Sequence, residues 1–497
     1  MNNNTKDGFK VSLDSIDDIT PEWIEWSLQK NGTIGENVNV TNVIVTKLST
    51  EAGGEGGGGM TDAQLLRLSI EYDEMSDVTG SEPKTVIAKV IFRISMFQSL
   101  SLKNRILYKV VAGAFGSKTE EEFWRTEARF YQEVVPQIEG AFQHPKVYYT
   151  GMNIINDRSQ FSSVILNNPP DLKTVVLVED LKGWKGETVL SNLLAGGLKR
   201  DYAESMLKNI AILHASFWGE KMEKMSATFK VPATTEIIDC RQATHSKYYA
   251  WKRKRFLSNP NDCKKKIYEF LKQWSDHPWM RIHKDIIKPD WITVEPNSDG
   301  SVPILKDPLV LEMINVFGSR YPQFNSDLAE NYLNKPMQTL IHGDFHAGNH
   351  MYGIDKNQGK VVALDFQLVG FGRVVSDLAH SFTHSMSGFI SIVEFMELMK
   401  IYHSALVQNG VMDYAWEEFK EDIIVGSIEV VLKSMIDLWD RNPEKWSQLL
   451  KVFGDKTEDI YVWMEHGLMT FPIRYMTSLY LHDKENFLIA NTFLSNL

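Results

Sequence analysis

Cysteine is scarce in this chain, with only Cys240 and Cys263 among 497 residues. The two cysteines have no metal-ligand spacing between them, and so few thiols exclude a fold that depends on a disulfide framework. We therefore expect a reducing compartment in which both thiols are buried and unreactive.

An excess of positive charge and a long apolar run are also lacking. The formal net charge is -11 at pH 7, so a broad attraction to nucleic-acid phosphates or to anionic lipid surfaces is not expected. No run of 18 apolar residues occurs, and the first twenty residues show no basic start followed by an apolar stretch. These absences predict a cytoplasmic protein with no membrane span and no nucleic-acid partner.

The apolar residues that are present suffice for two or three domain-sized units, because 43% of the chain is hydrophobic. Strand-like patterns predict four strands, at 38–48, 63–73, 85–92 and 174–181. A helix is predicted over 120–135, and the remainder of the chain is mainly helical in pattern. The order of these elements predicts an α+β fold, with an antiparallel sheet and one packed helix followed by a larger helical region.

The densest polar cluster lies in IHGDFHAGNH at 341–350 and in LDFQ at 364–367. A β-hairpin is predicted between them, because HMYGI and KVVAL flank the turn DKNQG, which contains glycine. Asn349 and Asp365 lie eight positions before and after the centre of that turn. Antiparallel pairing would place these two side chains next to each other, facing the Asp344 loop.

Two carboxylates and an amide oxygen at one end of a hairpin suit Mg²⁺, a hard cation that prefers oxygen ligands. One carboxylate can then remain free as a base. The spacing from Asp344 to Asn349 is also that of a kinase catalytic loop, in which the aspartate accepts the proton of the substrate hydroxyl.

Two other interpretations of this cluster are open. Its Asp and Asn side chains could merely cap backbone groups of a polar turn. Alternatively, a His/Asp ligand set could hold Zn²⁺ or Fe²⁺ in a hydrolase or an oxygenase. The residues of that second interpretation are His342, Asp344, His346 and His350.

Two charged residues far upstream lie within apolar patterns. Lys89 shares a strand face with Ile87 and Ile91, and Glu127 lies in the apolar stripe of the predicted helix, four residues before Tyr131. An unpaired charge in an apolar setting costs several kcal/mol, so we expect Lys89 and Glu127 to pair. Either residue could instead reach solvent from the edge of its element.

Two segments could contact a nucleotide. The run STEAGGEGGGGM lies between the first two strands, where the backbone N–H groups of Gly56, Gly57 and Gly58 could cover phosphates. The run does not match G-x-G-x-x-G, and a flexible linker is equally compatible with it. After the strand at 174–178, main-chain groups of Glu179 and Leu181 could hydrogen-bond an adenine edge, or the segment could simply leave the sheet.

These motifs together resemble the kinase-like phosphotransferases that include choline kinases and aminoglycoside phosphotransferases, and especially the ecdysteroid-kinase-like branch. The resemblance spans roughly residues 38–400. Its most specific parts are IHGDFHAGN at 341–349, LDFQ at 364–367 and SDLAH at 376–380, supported by EARFYQEVVP, LVEDLKGW and LHASFWG. Gln367 occupies the glycine position of the protein-kinase DFG signature, which favours a small-molecule kinase over a protein kinase.

Carried over position by position, the resemblance implies specific roles for five residues. Asp344 would be the catalytic base, and Asn349 and Asp365 would be the Mg²⁺ ligands. Lys89 would contact the ATP phosphates, and Glu127 would position that lysine. The resemblance further implies that Asp377 is structural support and that His342 and His214 are scaffold residues of the catalytic loop and a core helix, not metal ligands.

The function implied is transfer of the γ-phosphoryl group of ATP, with Mg²⁺, to a hydroxyl of a small molecule such as a steroid-like or amino alcohol. A non-catalytic nucleotide-binding pseudokinase or scaffold is the alternative, and a His/Asp metal-dependent hydrolase is a weaker one. The implied fold is protein-kinase-like with two lobes: a lead-in over 1–37, a nucleotide-binding lobe over 38–181 and a helical lobe over 182–497. In the lead-in, Thr20 is predicted to cap a short helix that begins at Pro21.

Overall fold

The computed structural model describes fourteen stretches of the chain: 5–6, 9–10, 13–48, 64–73, 79–91, 126–138, 140–152, 173–186, 198–222, 224, 338–354, 357–385, 392–420 and 422–423. The glycines Gly56, Gly57 and Gly58 and both cysteines lie outside these residues. The chain divides into two compact units. The first comprises Met1–Gly186, Met351–Gln358 and Val362–Val369, and the second comprises Glu187–His350, Gly359–Val361 and Gly370–Leu497.

The first unit is built around a five-stranded antiparallel sheet. After the short pair β1 (Thr5–Lys6) and β2 (Phe9–Lys10), helix α1 spans Pro21–Lys30. The sheet strands are β3 (Val40–Lys47), β4 (Gln64–Tyr72), β5 (Thr85–Ile91), β6 (Val147–Met152) and β7 (Thr174–Glu179), in the order β3-β4-β5-β7-β6. All four predicted strands are present, each within two residues of its expected ends, and β6 is an additional strand that the sequence pattern did not predict.

One face of this sheet is covered by α1. Thr20 caps the helix as predicted, because its side chain accepts a hydrogen bond of 3.2 Å from the backbone N–H of Trp23. The covered face contributes alternate residues of the strands to one apolar core, together with Trp23, Ile24 and Leu28 of α1. The strand residues of that core include Leu66, Leu68, Ile70, Val86, Ala88, Val90, Val175 and Leu177.

The opposite face of the sheet carries Lys89, because side chains alternate along a strand and the neighbours Ala88 and Val90 point into the core. The register places Lys89 beside Leu65 of β4 and Val176 of β7. Leu65 is 41% exposed, so this face combines one lysine with an apolar surface that the core does not use.

A helical segment and a small sheet complete the first unit. Residues 126–129 are α-helical, Phe130–Val134 form one π-helical turn, and α2 spans Val135–Ile138, so the described helix extends three residues past the predicted end. Strand β8 (Lys185–Gly186) pairs with β10 (His350–Tyr352), and β10 lies next to β11 (Val361–Ala363). The predicted hairpin is thus formed, and Gly359 adopts a φ of 83° in its turn, a conformation that glycine adopts without strain.

The second unit is mainly helical in its described residues. Helix α3 spans Arg200–Ser216, α4 spans Val374–Ser385 and α5 spans Ile392–Gln408. The short strands β9 (Thr339–Ile341) and β12 (Gly370–Gly372) pair antiparallel between α3 and α4 in the chain. Together the two units give the α+β fold that the order of elements predicted.

Within the described stretches, no helix has both the length and the hydrophobicity that a membrane crossing requires.

Candidate active site

Lys89 lies between two carboxylates in the first unit. Its Nζ is 2.7 Å from Oε2 of Glu127 and 2.8 Å from Oδ1 of Asp365. The predicted pair with Glu127 is therefore formed, and the structure adds Asp365, 276 residues further along the chain, as a second partner. Sequence patterns placed each charge in an apolar element but could not show that one lysine contacts both acids.

Electrostatics keep Lys89 charged. Burial alone would lower the pKa of Lys89, but the charges of Asp365 and then Glu127, with their hydrogen bonds, outweigh burial and raise that pKa above its ordinary value. Glu127 is only 3% exposed, and its burial raises the pKa of its carboxyl against the opposing effect of Lys89. When all three groups are ionised, the two carboxylates outnumber the single ammonium group, and the cluster has a net negative charge.

Asp365 is held in a strained backbone conformation. Its φ is 62° and its ψ is 64°, and among the described residues it is the one non-glycine with a positive φ. A left-handed aspartate costs of order 1 kcal/mol or more and persists where its surroundings fix it, typically at functional sites. The next residue supplies that fixation, because Phe366 is fully buried and its ring stacks on Phe130 at 3.9 Å between centroids.

The donor set around Asp365 fits a divalent cation. Its side chain is 29% exposed, and its Oδ2 receives a long hydrogen bond of 3.3 Å from Nε2 of Gln367. A carboxylate oxygen that is partly exposed, weakly bonded and part of a cluster lacking positive charge is a suitable Mg²⁺ ligand. Gln367, the last residue of the motif LDFQ, thus contacts the predicted metal ligand.

Asp344 lies in the second unit, in the loop that follows β9. Gly343 precedes it with a φ of 84°, which favours glycine at that position. The loop is held by the buried Asp377 of α4, whose Oδ2 and Oδ1 accept hydrogen bonds from the backbone N–H groups of His342, at 2.7 Å, and Gly343, at 2.8 Å. Asp377 therefore touches the loop backbone, as expected of a supporting residue.

Asp377 is itself held by a buried chain of polar groups. His214 of α3 places its Nε2 3.2 Å from Oδ2 of Asp377, and its Nδ1 lies 2.6 Å from the hydroxyl of Tyr402 on α5. The pKa of Asp377 is lowered: burial alone would raise it, but its bonds to His214 and then His342 outweigh burial. His214 is thus a core histidine, in agreement with its expected scaffold role.

Asn349 and two histidines surround the carboxylate of Asp344. The Nδ2 of Asn349 donates to the backbone oxygen of Asp344 at 2.9 Å and to its Oδ2 at 3.1 Å. His380 Nε2 lies 3.1 Å from Oδ1, and His346 Nε2 lies 3.6 Å from Oδ2. Burial would raise the pKa of Asp344, but the effects of His346 and then His380 hold it well below its ordinary value, so the carboxylate is ionised at neutral pH.

The amide of Asn349 is oriented by these bonds. Because its nitrogen is used by Asp344, its Oδ1 is the atom that remains to bind a cation, and Oδ1 accepts no hydrogen bond from the residues that the structure describes. Asn349 and Asp365 belong to different units, and their predicted pairing across the hairpin stays a prediction.

The transition-metal interpretation of the histidines finds little support. His342 and His350 are buried, and their Nδ1 atoms face the backbone N–H of Asp344 and the backbone oxygen of His346. Among the residues that the structure describes, the group whose potential ligand atoms come together, within 4.8 Å, is Asp344, His346 and His380. In that group the Nδ1 of His346 accepts the backbone N–H of Gly348 at 3.1 Å, so neutral His346 carries its proton on Nε2, the atom that would have to bind the metal.

No role for His380 was predicted from the sequence, although this histidine closes the motif SDLAH. A signal was available, because Asp377 and His380 are three residues apart on α4 and therefore share a helix face. Because Asp377 contacts the loop at His342 and Gly343, the residue one turn later on α4, His380, is placed to reach the next loop residue, Asp344.

The segment after β7 is tethered by an ion pair. The backbone N–H of Glu179 donates to the oxygen of Lys146 at 2.8 Å, and the oxygen of Leu181 accepts from Trp184 at 2.9 Å. The N–H of Leu181 donates to no group among the described residues, so it remains available for an adenine edge. Between them, Asp180 is 3% exposed at its side chain and forms a two-point ion pair with Arg67 of β4, at 2.8 and 3.2 Å.

The family model described as the ecdysteroid kinase-like family matches residues 312–412. This match includes the Asp344 loop, the hairpin, the Asp365 motif and α4. It confirms the resemblance to the kinase-like small-molecule phosphotransferases over that stretch. No curated protein matches the chain.

Solved structures of small-molecule kinases also align with the chain. A microcompartment-associated aminopropanol kinase aligns with a TM-score of 0.38 and 11% identity, covering 94% of this chain and 98% of that one. An ethanolamine kinase of Plasmodium vivax has a TM-score of 0.36 and 9% identity, with 94% and 89% covered. An aminoglycoside phosphotransferase with bound ADP has a TM-score of 0.33 and 13% identity, with 89% and 97% covered.

Proposed function

We propose that this protein is an ATP-dependent phosphotransferase that moves the γ-phosphoryl group to a hydroxyl of a small molecule. The observation that carries the proposal is the position of Lys89, which contacts both Glu127 and Asp365. A lysine held charged by one buried acid, beside a second acid that can bind a cation, is the arrangement that phosphoryl-transfer enzymes use to bind nucleotide phosphates.

In the proposed reaction, Lys89 binds phosphate oxygens of ATP and offsets their negative charge. Glu127, which is almost fully buried, keeps the ammonium group directed toward that position. The N–H of Leu181 and the apolar sheet face at Leu65 would accept the adenine, which needs a hydrogen-bond donor at its edge and apolar surfaces on its sides.

Asp344 is the proposed base. Its ionised carboxylate accepts the hydroxyl proton of the acceptor as the acceptor oxygen forms a bond to the γ-phosphorus and the bond from that phosphorus to the bridging oxygen of ADP breaks. Asp365 and Asn349 would hold Mg²⁺, which supplies charge neutralisation on the phosphate oxygens when bound. The products are the phosphorylated acceptor and ADP, and the proton is then released from Asp344.

Calorimetric titration of the full chain with ATP, with and without Mg²⁺, tests the binding part of this proposal. Wild-type protein should bind ATP more tightly with Mg²⁺ present, and Asp365→Ala should lose that increment because it removes an anionic ligand. Unchanged Mg-ATP affinity in Asp365→Ala would argue against the assignment of that ligand.

A turnover measurement separates the enzyme from the pseudokinase alternative. Wild-type protein is incubated with Mg-ATP and a metabolite extract, and new phosphorylated species are sought by mass spectrometry. ATP binding without any phosphorylated product would favour a nucleotide-binding scaffold. Steroid-like alcohols and amino alcohols are the first pure acceptors to test.

A further inference from the structure

Two side chains approach the carboxylate of Asp344 from different directions. Asn349, in the same loop, contacts Oδ2 through Nδ2 at 3.1 Å. His380, on α4, approaches Oδ1 through Nε2 at 3.1 Å, a close polar contact whose geometry is not that of a hydrogen bond. An ionised carboxylate offers only lone pairs, so the Nε2 of His380 must carry a proton for this contact to be attractive.

The two histidines near Asp344 are not equivalent. His346 lies 3.6 Å from Oδ2, which is too long for a hydrogen bond, and its Nδ1 accepts the N–H of Gly348. His346 therefore shapes the turn of its own loop. His380 lies within hydrogen-bond distance and belongs to a different element, so it can fix the carboxylate relative to the helical scaffold.

Helix α4 is well suited to this role because it also fixes the loop backbone. Asp377, one turn before His380, holds the N–H groups of His342 and Gly343 with its two carboxylate oxygens. Asp377 is fully buried and is held by His214. The same face of one helix thus contacts the backbone just before Asp344 and the side chain of Asp344.

We propose that His380 is a positioning residue that orients the carboxylate of Asp344 for the acceptor hydroxyl, an inference that rests on the proposed function. The contacts with Asn349 and His380 leave lone-pair positions of the carboxylate open for the hydroxyl, and a fixed carboxylate plane determines where these positions point. In this role His380 acts through Asp344 and needs no contact of its own with ATP or the acceptor. Its removal should therefore slow the chemical step and leave nucleotide binding unchanged.

The test compares His380→Ala and His380→Gln with wild-type protein in hydrolysis of γ-labelled ATP, where water replaces the unidentified acceptor. His380→Ala should lower kcat about 10- to 100-fold while KM for ATP stays within about twofold, because a misoriented catalytic group is costly to turnover. His380→Gln should recover much of the loss, because its amide nitrogen can donate to Oδ1 in place of the ring. Recovery by a non-titrating donor would also exclude a role for the ring as a proton carrier.

A double-variant measurement separates positioning from general structural support. In Asp344→Asn protein, His380→Ala should have little further effect on kcat, because the group that it positions has already been replaced. His403→Ala is the matched control: its Nε2 contacts the backbone oxygen of Tyr414 and its ring packs against Trp416 and Phe419, so its loss should leave kcat unchanged.

The outcomes are distinguishable. Active wild-type protein with equally active His380→Ala would overturn the positioning role and leave the proposed function intact. Losses from Asp344→Asn and His380→Ala that multiply would also overturn it, as would a loss in His380→Ala that follows its thermal stability and is not recovered by Gln. Wild-type protein that neither hydrolyses ATP nor phosphorylates the extract would refute the proposed function, and the positioning role with it.

Discussion

Replacement of Lys89 by Met should destabilise the first unit strongly, because it leaves the carboxylates of Glu127 and Asp365 without their shared cation. Glu127 is 3% exposed and cannot gain much water. Breaking a buried ion pair by removing one partner typically costs about 3–5 kcal/mol. Glu127 can limit the cost by taking up a proton, which at pH 7 costs about 4 kcal/mol for a carboxyl with an unperturbed pKa near 4.3. We therefore expect a loss of about 3–4 kcal/mol for Lys89→Met.

The companion variant Glu127→Gln should cost less, because Lys89 keeps its contact with Asp365 at 2.8 Å. In Lys89→Met/Glu127→Gln the uncompensated buried charge is gone, so stability should recover relative to Lys89→Met alone. Neither Glu127→Gln nor the double variant should have full ATP turnover. Glu127→Gln lacks the acid that directs the ammonium group of Lys89, and the double variant has no ammonium group to bind phosphate.

The assay is urea unfolding of the four proteins, followed by tryptophan fluorescence at pH 7 and pH 5. In Lys89→Met the pKa of Glu127 is raised by burial and by Asp365, so folded protein binds the proton more tightly than unfolded protein does. Stability therefore falls as pH rises through this range, and the deficit of Lys89→Met should be smaller at pH 5 than at pH 7. Additive effects of the two substitutions, or a deficit that grows at pH 5, would refute the reasoning.

Three further predictions concern the supports of the site. Asp377→Ala removes a fully buried acceptor of two backbone N–H groups and should lower the free energy of unfolding by about 2–4 kcal/mol, measured by urea titration. Arg67→Lys cannot keep the two-point pair with Asp180, so the affinity for ATP should fall several-fold in calorimetry with little change in thermal stability. Burial, then the charge of Asp377, raises the pKa of the Tyr402 hydroxyl well above 10. The protonated hydroxyl therefore contributes fully to stability below pH 10, and this contribution is lost as the pH rises above 10. Tyr402→Phe should therefore flatten the alkaline decline in stability by about 1.4 kcal/mol per pH unit.

The sheet could be predicted because its strands alternate clearly. Core residues such as Leu66 and Leu68 recur every second position, so the pattern located β3, β4, β5 and β7 closely. Strand β6 was missed because its buried residues Tyr148 and Tyr149 are adjacent, and the register shifts at this point. The three-residue strands β9 and β12 carry too few residues for any periodicity.

The site was predictable where a residue violated its local pattern. Lys89 and Glu127 are charges in apolar elements, which is why their pairing could be expected from the sequence. The contact of Lys89 with Asp365 joins residues 276 positions apart, and the left-handed backbone of Asp365 is fixed by the stacking of Phe366. Such facts depend on tertiary packing, and no local sequence pattern contains them.

His380 shows a different limit. A histidine on an amphipathic helix is compatible with core packing, surface exposure or a functional contact, so residue type and spacing alone do not identify its partner. Only the position of α4 beside the Asp344 loop shows that the ring reaches Oδ1.

The most direct test of the account is transfer of label from γ-labelled ATP to small molecules of a metabolite extract, with wild-type protein and Asp344→Asn compared at equal ATP binding. Wild-type protein should yield a labelled small molecule only when Mg²⁺ is present. Asp344→Asn should bind Mg-ATP normally and transfer label about 10²- to 10⁴-fold more slowly, as expected for loss of a base. Near-normal transfer by Asp344→Asn, or no transfer and no Mg-ATP binding by wild-type protein, would contradict the account.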